Sequence, residues 1–426
     1  MITIIAAGLL VLFALFGTPL FIIFGAATLF GLHFIATVPI ASAITEMYKL
    51  STQGFLIAIP LFTFAGCLLA ESRAPYRLVD LSRAFFGWLP GGLTIVVLIA
   101  CPIFTALTGA SGVTIIALGG ILYPLLHQGQ YPEKFNLGLI TSAGSLGVMF
   151  PPALPLIIYG LIAGVSVEKL FVAGLVPGVI TVIALGVYSV TESLKSDIKR
   201  DVFTFKNAVS SLRKAIWEIP LPIIILGGIF AGFFTAAEAA AITAFYVFIV
   251  EVLIYRDIKL TDLPRITKEA MILVGSILII LAAALGFTNF LVDQLIPMKL
   301  LVWMKQLFSS KLAFLFVLNI FLLIVGSLMD IFSAIVVIVP LIAPVAMSFG
   351  IDPVHLGIIF LTNLEIGYLT PPVGINLFIS SLKFSQPVIK LYTATIPFLI
   401  LLLIALGIIT YVPSLSLKLV ELAGVK

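Results

Sequence analysis

The groups in this chain best suited to chemistry are small hydroxyls and backbone oxygens, gathered at four interruptions of long apolar runs. One pair of interruptions is Thr108-Gly109-Ala110-Ser111-Gly112-Val113-Thr114 and Gly144-Ser145-Leu146-Gly147, which precedes Pro151-Pro152. The other pair is Gly326-Ser327-Leu328-Met329-Asp330-Ile331-Phe332-Ser333 and the stretch carrying Asn363, Gly367, Thr370 and Pro371-Pro372. Hydroxyls and freed carbonyls are hard oxygen donors suited to an alkali cation. Proline frees a carbonyl nearby because it has no N–H to donate. Each pair is therefore a candidate cation cage. Close packing of helices through small residues is the competing reading.

Two carboxylates lie among these apolar segments, and a charge at that depth is costly enough to suggest a function. Asp330 either contacts an ion or solute, or caps the second arm of its hairpin. Glu365 either takes part in coupling or pairs with a lysine such as Lys383. The segments that resume after the breaks begin at Ala153 and Val373, and their N-termini suit an anionic group. No Lys or Arg lies within the apolar parts of these four stretches. An anionic solute would then be held by helix ends, hydroxyls, amides and bound cations. Thr108, Ser111, Pro152, Asn363, Glu365, Pro372 and Asn376 are the candidate solute contacts, with Asn363 and Asn376 equally suited to packing. Thr235-Ala236-Ala237-Glu238 reads as a capping box, in which Glu238 returns to the cap N–H.

Other chemistries find little support. Cys67 and Cys101 sit in apolar runs and read as small buried hydrophobes. His33, His127 and His355 are scattered without ligand spacing. No Gly-x4-Gly-Lys-Ser/Thr phosphate loop is present, so direct ATP driving is not expected. No polar catalytic cluster appears in the apolar segments, which disfavours a membrane-embedded enzyme. The cations are confined to a few segments, so no nucleic-acid partner is expected.

The elements that hold these residues are membrane spans. The chain is 62% hydrophobic and 10% charged, with a mean hydropathy of +1.27. A soluble domain is about half apolar and about a quarter charged. Windows at 2–16, 17–38, 54–70, 170–190, 219–234, 236–255 and 392–411 are long and apolar, the first being short for a crossing of roughly 20 residues. The start lacks a basic n-region, so no cleavable signal is expected. Segments 42–52 and 295–308 carry charges and suit interfacial helices. Trp88, Trp217 and Trp303 read as interface anchors.

Three segments concentrate the cations: Arg73, Arg77 and Arg83; Lys195, Lys199, Arg200, Lys206, Arg213 and Lys214; and Arg256, Lys259, Arg265 and Lys268. The positive-inside rule places all three in the cytoplasm. Residues 91–126, split near Gly109, must then enter and leave on the cytoplasmic side as a re-entrant hairpin. Residues 135–150 and 153–165 make one broken crossing outward. The second half repeats the pattern with opposite sign: hairpin 312–348 enters from outside, and 355–382 is a broken crossing inward. The Gly/Pro breaks at 147–152 and 367–372 match independently. Paired breaks of this kind mark a transporter built from an inverted repeat, with solute and ion near the midplane. The expected layout is scaffold 1–90, first transport repeat 91–190, scaffold 191–300, and second transport repeat with a final helix 301–426. The fold class is thus an all-α polytopic membrane protein.

The motifs resemble a known family. Gly144-Ser145-Leu146-Gly147-x3-Pro151-Pro152-x2-Pro155-x3-Tyr159-Gly160 and Thr235-Ala236-Ala237-Glu238-Ala239-Ala240-Ala241 resemble the large permease subunit of tripartite ATP-independent periplasmic (TRAP) transporters. So do Gly350-Ile351-Asp352-Pro353-Val354-His355-x-Gly357 and Asn363-Leu364-x-Ile366-Gly367-x2-Thr370-Pro371-Pro372-Val373-Gly374-x-Asn376-Leu377-Phe378. The resemblance spans nearly the whole chain. It implies import of an organic acid, such as a C4-dicarboxylate, another carboxylate or sialic acid, driven by co-transported sodium (Na+). It implies a periplasmic substrate-binding protein, a small four-helix membrane subunit and a place in the bacterial inner membrane. It also implies an ion-transporter-superfamily fold of elevator type, with sodium at the tips and facing breaks. Here those positions are Ser111, Gly112, Gly144, Ser145 and Gly147, then Gly326, Asp330, Gly367 and Thr370. A proton-coupled carrier of the same architecture, with Asp330 or Glu365 as relay, is the alternative.

Overall fold

A computed structural model describes residues 8–9, 12–13, 18–36, 38–39, 41–48, 50, 54–195, 202–308 and 310–424. Among them every regular element is helical. The expected window 2–16 falls largely outside these residues, as do Lys199 and Arg200. The chain begins with α1 (Leu20–Phe30), α2 (Ala41–Tyr48), α3 (Ala58–Glu71) and α4 (Ala74–Phe86). The first hairpin is α5 (Gly92–Thr108), α6 (Ser111–Ala117) and α7 (Gly119–Gln128). Gly109 ends α5 at φ 72°, a left-handed position that suits glycine. The return arm differs from the single rod expected: α6 and α7 meet at 49°.

The first broken crossing is α8 (Glu133–Ala143), a 3-10 turn at Leu146–Met149, and α9 (Leu154–Ala163). Its two parts are bent by 44°, with a cis peptide between Pro151 and Pro152. Next come α10 (Val167–Leu194), α11 (Phe205–Lys214), α12 (Pro220–Phe230), α13 (Ala236–Phe248, continuing as a π-helix over Ile249–Ile254), α14 (Leu263–Asp293) and α15 (Ile296–Leu307). The second hairpin is α16 (Lys311–Leu328) and α17 (Ile331–Ser348). The second broken crossing is α18 (Pro353–Gly367) and α19 (Ile375–Phe384), again with a cis bond, Pro371–Pro372. The chain closes with α20 (Val388–Tyr411) and α21 (Ser414–Ala423). Six described helices are long and apolar enough to cross a membrane.

Local chemistry explains several boundaries. Ser166 caps α10 by accepting from the Lys169 N–H at 3.2 Å, and Ser310 caps α16 through the Ala313 N–H at 3.2 Å. The capping box at α13 forms as read: Glu238 N–H donates to the Thr235 hydroxyl at 3.3 Å, and Thr235 N–H donates to Glu238 at 2.8 Å.

The basic segments meet on one face, as the charge argument required. Arg77 of α4 bonds Glu251 at 2.8 and 3.0 Å, Asp257 at 2.5 Å, and Glu218. Its guanidinium lies 3.9 Å from the centre of the Tyr255 ring. The Tyr255 hydroxyl donates to the Lys214 carbonyl at 2.5 Å. Burial holds the Glu218 carboxyl above its ordinary range, against the opposing pull of Arg77. The cluster ties together segments 141 to 180 positions apart. Lys390, after the second broken crossing, bonds Glu133 at 2.8 Å, where the first hairpin exits.

The opposite face collects the other set of ends. Lys311, at the entrance of the second hairpin, donates to the Gly350 carbonyl at 2.8 Å. The His355 ring, at the start of α18, sits 3.2 Å from both Ser416 Oγ and the Thr410 carbonyl. A hairpin followed by a broken crossing thus occurs twice, once in each half of the chain.

Candidate ion and solute site

Two junctions form where a hairpin meets a broken helix. In the first, the 3-10 turn at Gly147 presses on α5. A Cβ added at Gly147 would lie 2.3 Å from the Pro102 carbonyl oxygen and 2.5 Å from Thr105 Cβ. Only glycine fits there. The Thr105 hydroxyl donates to the Gly144 carbonyl at 2.8 Å and lies 2.7 Å from the Thr114 hydroxyl. Ser145 donates to the Ser142 carbonyl at 3.2 Å.

The second junction repeats this arrangement. A Cβ added at Gly367 would lie 2.4 Å from the Gly326 carbonyl carbon. Gly374, at φ 60°, donates its N–H to the Ser327 carbonyl at 3.2 Å. The Tyr368 hydroxyl accepts from the Ile331 N–H at 2.7 Å, which fixes the tip against the break. Asp330 is an N-cap: it accepts from the N–H groups of Phe332 and Ser333, both at 3.0 Å, and from the Ser333 hydroxyl. The Thr370 hydroxyl turns back to the Ile366 carbonyl at 2.9 Å. Gly326, Asp330, Gly367 and Thr370 thus belong to one neighbourhood.

The first set of predicted residues is divided. Ser111 and Gly112 do not turn to Gly144, Ser145 and Gly147; they face the other repeat. The Ser111 hydroxyl donates to Asn376 Oδ1 at 2.8 Å. A Cβ added at Gly112 would meet Ile379 at 2.6 Å. Thr141 and Ser380 lie 2.9 Å apart, oxygen to oxygen, deeper along the same contact. The arm α5 approaches the first break together with Thr114 and Ile115 of α6, whereas Ser111 and Gly112 at the start of α6 pack on α19. The mirror contact also exists, with α17 packed on α9. Sequence proximity suggested one tip with its own break, and the fold interleaves the repeats instead. Asn376 Nδ2 is buried and has no hydrogen-bond partner.

The remaining predicted contacts have separate surroundings. Pro152 and Pro372 are the second residues of the cis bonds, and the Pro372 carbonyl accepts from the Tyr392 hydroxyl at 2.8 Å. Asn363 donates to Asn319 Oδ1 at 2.7 Å and to the Ile359 carbonyl at 2.8 Å. Asn319 donates in turn to the Thr410 hydroxyl at 3.1 Å. Asn363 therefore joins a buried strut from α18 through α16 to α20. Glu365 is fully buried, and neither carboxylate oxygen has a partner. The suggested pairing with Lys383 does not occur. The Lys383 amine instead sits beside Gly120 of α7, 3.1 Å from where a Cβ would be. Glu365 lies two helical turns from Ile358, which reaches Gly174 of α10, so the two share a face of α18.

Thr108 lines a cavity of about 140 Å³ between the first tip and helices α3 and α14. Thr63, Cys67, Glu71 and Glu269 form its far wall. The Thr63 hydroxyl is buried without a partner. Arg265 bridges the two glutamates, at 2.5 Å from Glu71 and 3.0 Å from Glu269. Sequence reasoning missed this wall, because Glu71 and the Arg265 that ties it to Glu269 are 194 positions apart and carry no local motif. Among the described residues no three His, Cys, Asp or Glu side chains form a metal cluster. Apart from Asp330, Glu365 and the glutamates of the cavity wall, the groups gathered here are hydroxyls, amides and carbonyls, all hard oxygen or nitrogen groups.

Comparison with known proteins gives these features a setting. The family model described as tripartite ATP-independent periplasmic transporter, DctM component, matches residues 7–415. The C4-dicarboxylate TRAP transporter large permease protein DctM of Pseudomonas aeruginosa is 37% identical over 387 residues, covering 90% of each chain. The isethionate TRAP transporter permease protein DctMQ of Oleidesulfovibrio alaskensis is 34% identical over 416 residues, 96% of this chain and 65% of that one. Among solved structures, the YdaH transporter of Alcanivorax borkumensis superposes with a TM-score of 0.57 at 13% identity. It covers 90% of this chain and 87% of that one, and it supports the fold alone.

Proposed function

Because the chain belongs to the DctM family of TRAP transporter large permeases, we propose that it imports an organic acid by sodium symport with an elevator motion. The solute is a C4-dicarboxylate, a sialic acid or a similar carboxylate. The relatives named for C4-dicarboxylate and for isethionate both handle organic anions, which supports the class and leaves its member open. A periplasmic binding protein delivers the solute, and a small four-helix subunit completes the permease. The complex sits in the bacterial inner membrane.

The observation that carries this reading is the pair of hairpin–break junctions, Gly147 on α5 and Gly367 on Gly326. Each covers interrupted backbone with protein, the condition under which such backbone is tolerated within a membrane. Sodium is held at the first break by carbonyls and hydroxyls of Gly144, Ser145 and Gly147, at the contact of the first tip with α19 by those of Ser111 and Gly112, and at the second junction by those of Gly326, Gly367 and Thr370. Asp330 shapes the second tip as its cap. Ser111 and Asn376, which meet across the repeats, contact the solute, and Thr108 lines the neighbouring cavity. The hairpins and broken crossings, within 91–190 and 301–426, move as a body against scaffold 1–90 and 191–300. The cavity between Thr108 and Thr63 lies on that seam. A sodium ion moving inward gains roughly 2.3 kcal/mol per 100 mV.

The test is uptake into proteoliposomes carrying the permease with its binding protein and small subunit. Uptake should require a sodium gradient and stop when choline replaces sodium. One observation favours a second reading, a proton-coupled carrier: the unpartnered Glu365 carboxylate. Uptake driven by a pH jump without sodium would select that reading.

A further inference from the structure

The basic face carries a second cavity, far from the tips. It is a cleft of about 440 Å³ between α4 and α11, lined by Asp80, Arg83, Trp88, Asn207, Ser211 and Lys214 among others. We infer that this cleft binds the phosphate head group of an anionic phospholipid from the cytoplasmic leaflet.

The orientation of α11 carries the argument. Phe205, Val209 and Leu212 recur at helical spacing and form one stripe of α11. A helix packed on a soluble protein turns such a stripe inward. Here the stripe is exposed, Phe205 by 75% and Val209 by 46%. The opposite, polar side, with Asn207, Ser210, Ser211 and Lys214, faces α4 and lines the cleft. An apolar stripe turned outward, on the side marked by the basic segments, is the posture of a helix lying in the membrane interface. The acyl region then covers the stripe, and the cleft opens at head-group level.

The lining matches a phosphodiester. Arg83 and Lys214 place two cations in the lining, of the kind that attract phosphate oxygens. Thr204, Asn207, Ser210 and Ser211 add hydroxyl and amide donors. Among the described lining residues Asp80 is the one carboxylate, set against Arg83 and Lys214. Lys206 and Arg213, also on α11, extend that field toward anionic lipid. Trp88 holds the rim: its ring meets Phe203 edge-on at 6.1 Å, and its indole N–H donates to the Phe85 carbonyl at 2.8 Å. A tryptophan at this level is a usual interface anchor.

The experiment uses the purified full-length protein in nanodiscs of phosphatidylcholine, with and without phosphatidylglycerol. Phosphatidylglycerol should raise the melting temperature, and native mass spectrometry should find it retained. The double variant Arg83→Ala/Lys214→Ala should lose both effects. Ser211→Leu, which fills the cleft without removing charge, should lose them too, and it guards against a double variant that fails to fold. An equal rise from inorganic phosphate in pure phosphatidylcholine would assign the cleft to a soluble anion and overturn the lipid source. Equal retention of phosphatidylglycerol by the Ser211→Leu variant would overturn the site.

Discussion

Gly367 of the second broken crossing lies against the backbone of Gly326 in the second hairpin, with 2.4 Å left between an added Cβ and the Gly326 carbonyl carbon. Backbone meets backbone there, so no flexible side chain can yield. Gly367→Ala should destabilise the protein by about 1–3 kcal/mol through overpacking and abolish sodium-driven uptake. Gly275→Ala, in α14 with open space around it, should leave both unchanged. Melting curves and initial uptake rates of the two variants make the comparison.

Arg77 sits among three carboxylates, of Glu218, Glu251 and Asp257, and all four side chains are nearly or fully buried. Removing the one cation strands three buried acids, which costs about 3–5 kcal/mol. Arg77→Ala should therefore fail to accumulate or should melt far earlier. Arg77→Lys should not restore wild-type stability, because an ammonium cannot match the guanidinium fork. Unfolding in a mixed-micelle titration reads this directly.

Ser111 and Asn376 couple the repeats through one buried hydrogen bond. Ser111→Ala and Asn376→Ala should be strongly non-additive, with an interaction energy of about 0.5–3 kcal/mol in a double-mutant cycle. Uptake by each single variant should fall more than its melting temperature does.

Asp330 caps α17, and asparagine caps nearly as well as aspartate. Asp330→Asn should thus keep sodium activation and near-normal melting. Asp330→Ala should lose about 1 kcal/mol. Sodium titration of uptake for the asparagine variant checks that the cap, not the charge, is what the tip needs.

Glu365→Gln removes a buried ionisable group that has no partner. An unpaired buried charge is costly, so the variant should melt higher at alkaline pH. Sodium-driven uptake should persist. If uptake instead became insensitive to a pH jump that drives the wild type, the proton-coupled reading would stand.

The legible part of this structure was carried by strong local signals. The hairpin over α16 and α17 could be read because an apolar run of known reach is broken once, near Asp330. The grouping of the basic segments on one side followed from where Arg and Lys gather, and the Arg77 cluster joins those segments. What stayed hidden was long-range. Nothing near Ser111 names Asn376, 265 positions away, so the tip was assigned to the nearer break. The bend between α6 and α7 has no proline at its hinge, Leu118, and went unseen. One of the two readings of Glu365 paired it with Lys383, close by in sequence, yet Lys383 lies beside α7.

The Ser111–Asn376 contact also sets a timetable for biogenesis. The ribosome emits the earlier residue 265 positions ahead of its mate. At 5–20 residues per second, that is a delay of roughly ten seconds to a minute. Throughout that interval the first re-entrant loop is in the bilayer with half of its docking surface still untranslated. An insertion factor or a shield of lipid must keep it from unravelling until the C-terminal quarter arrives.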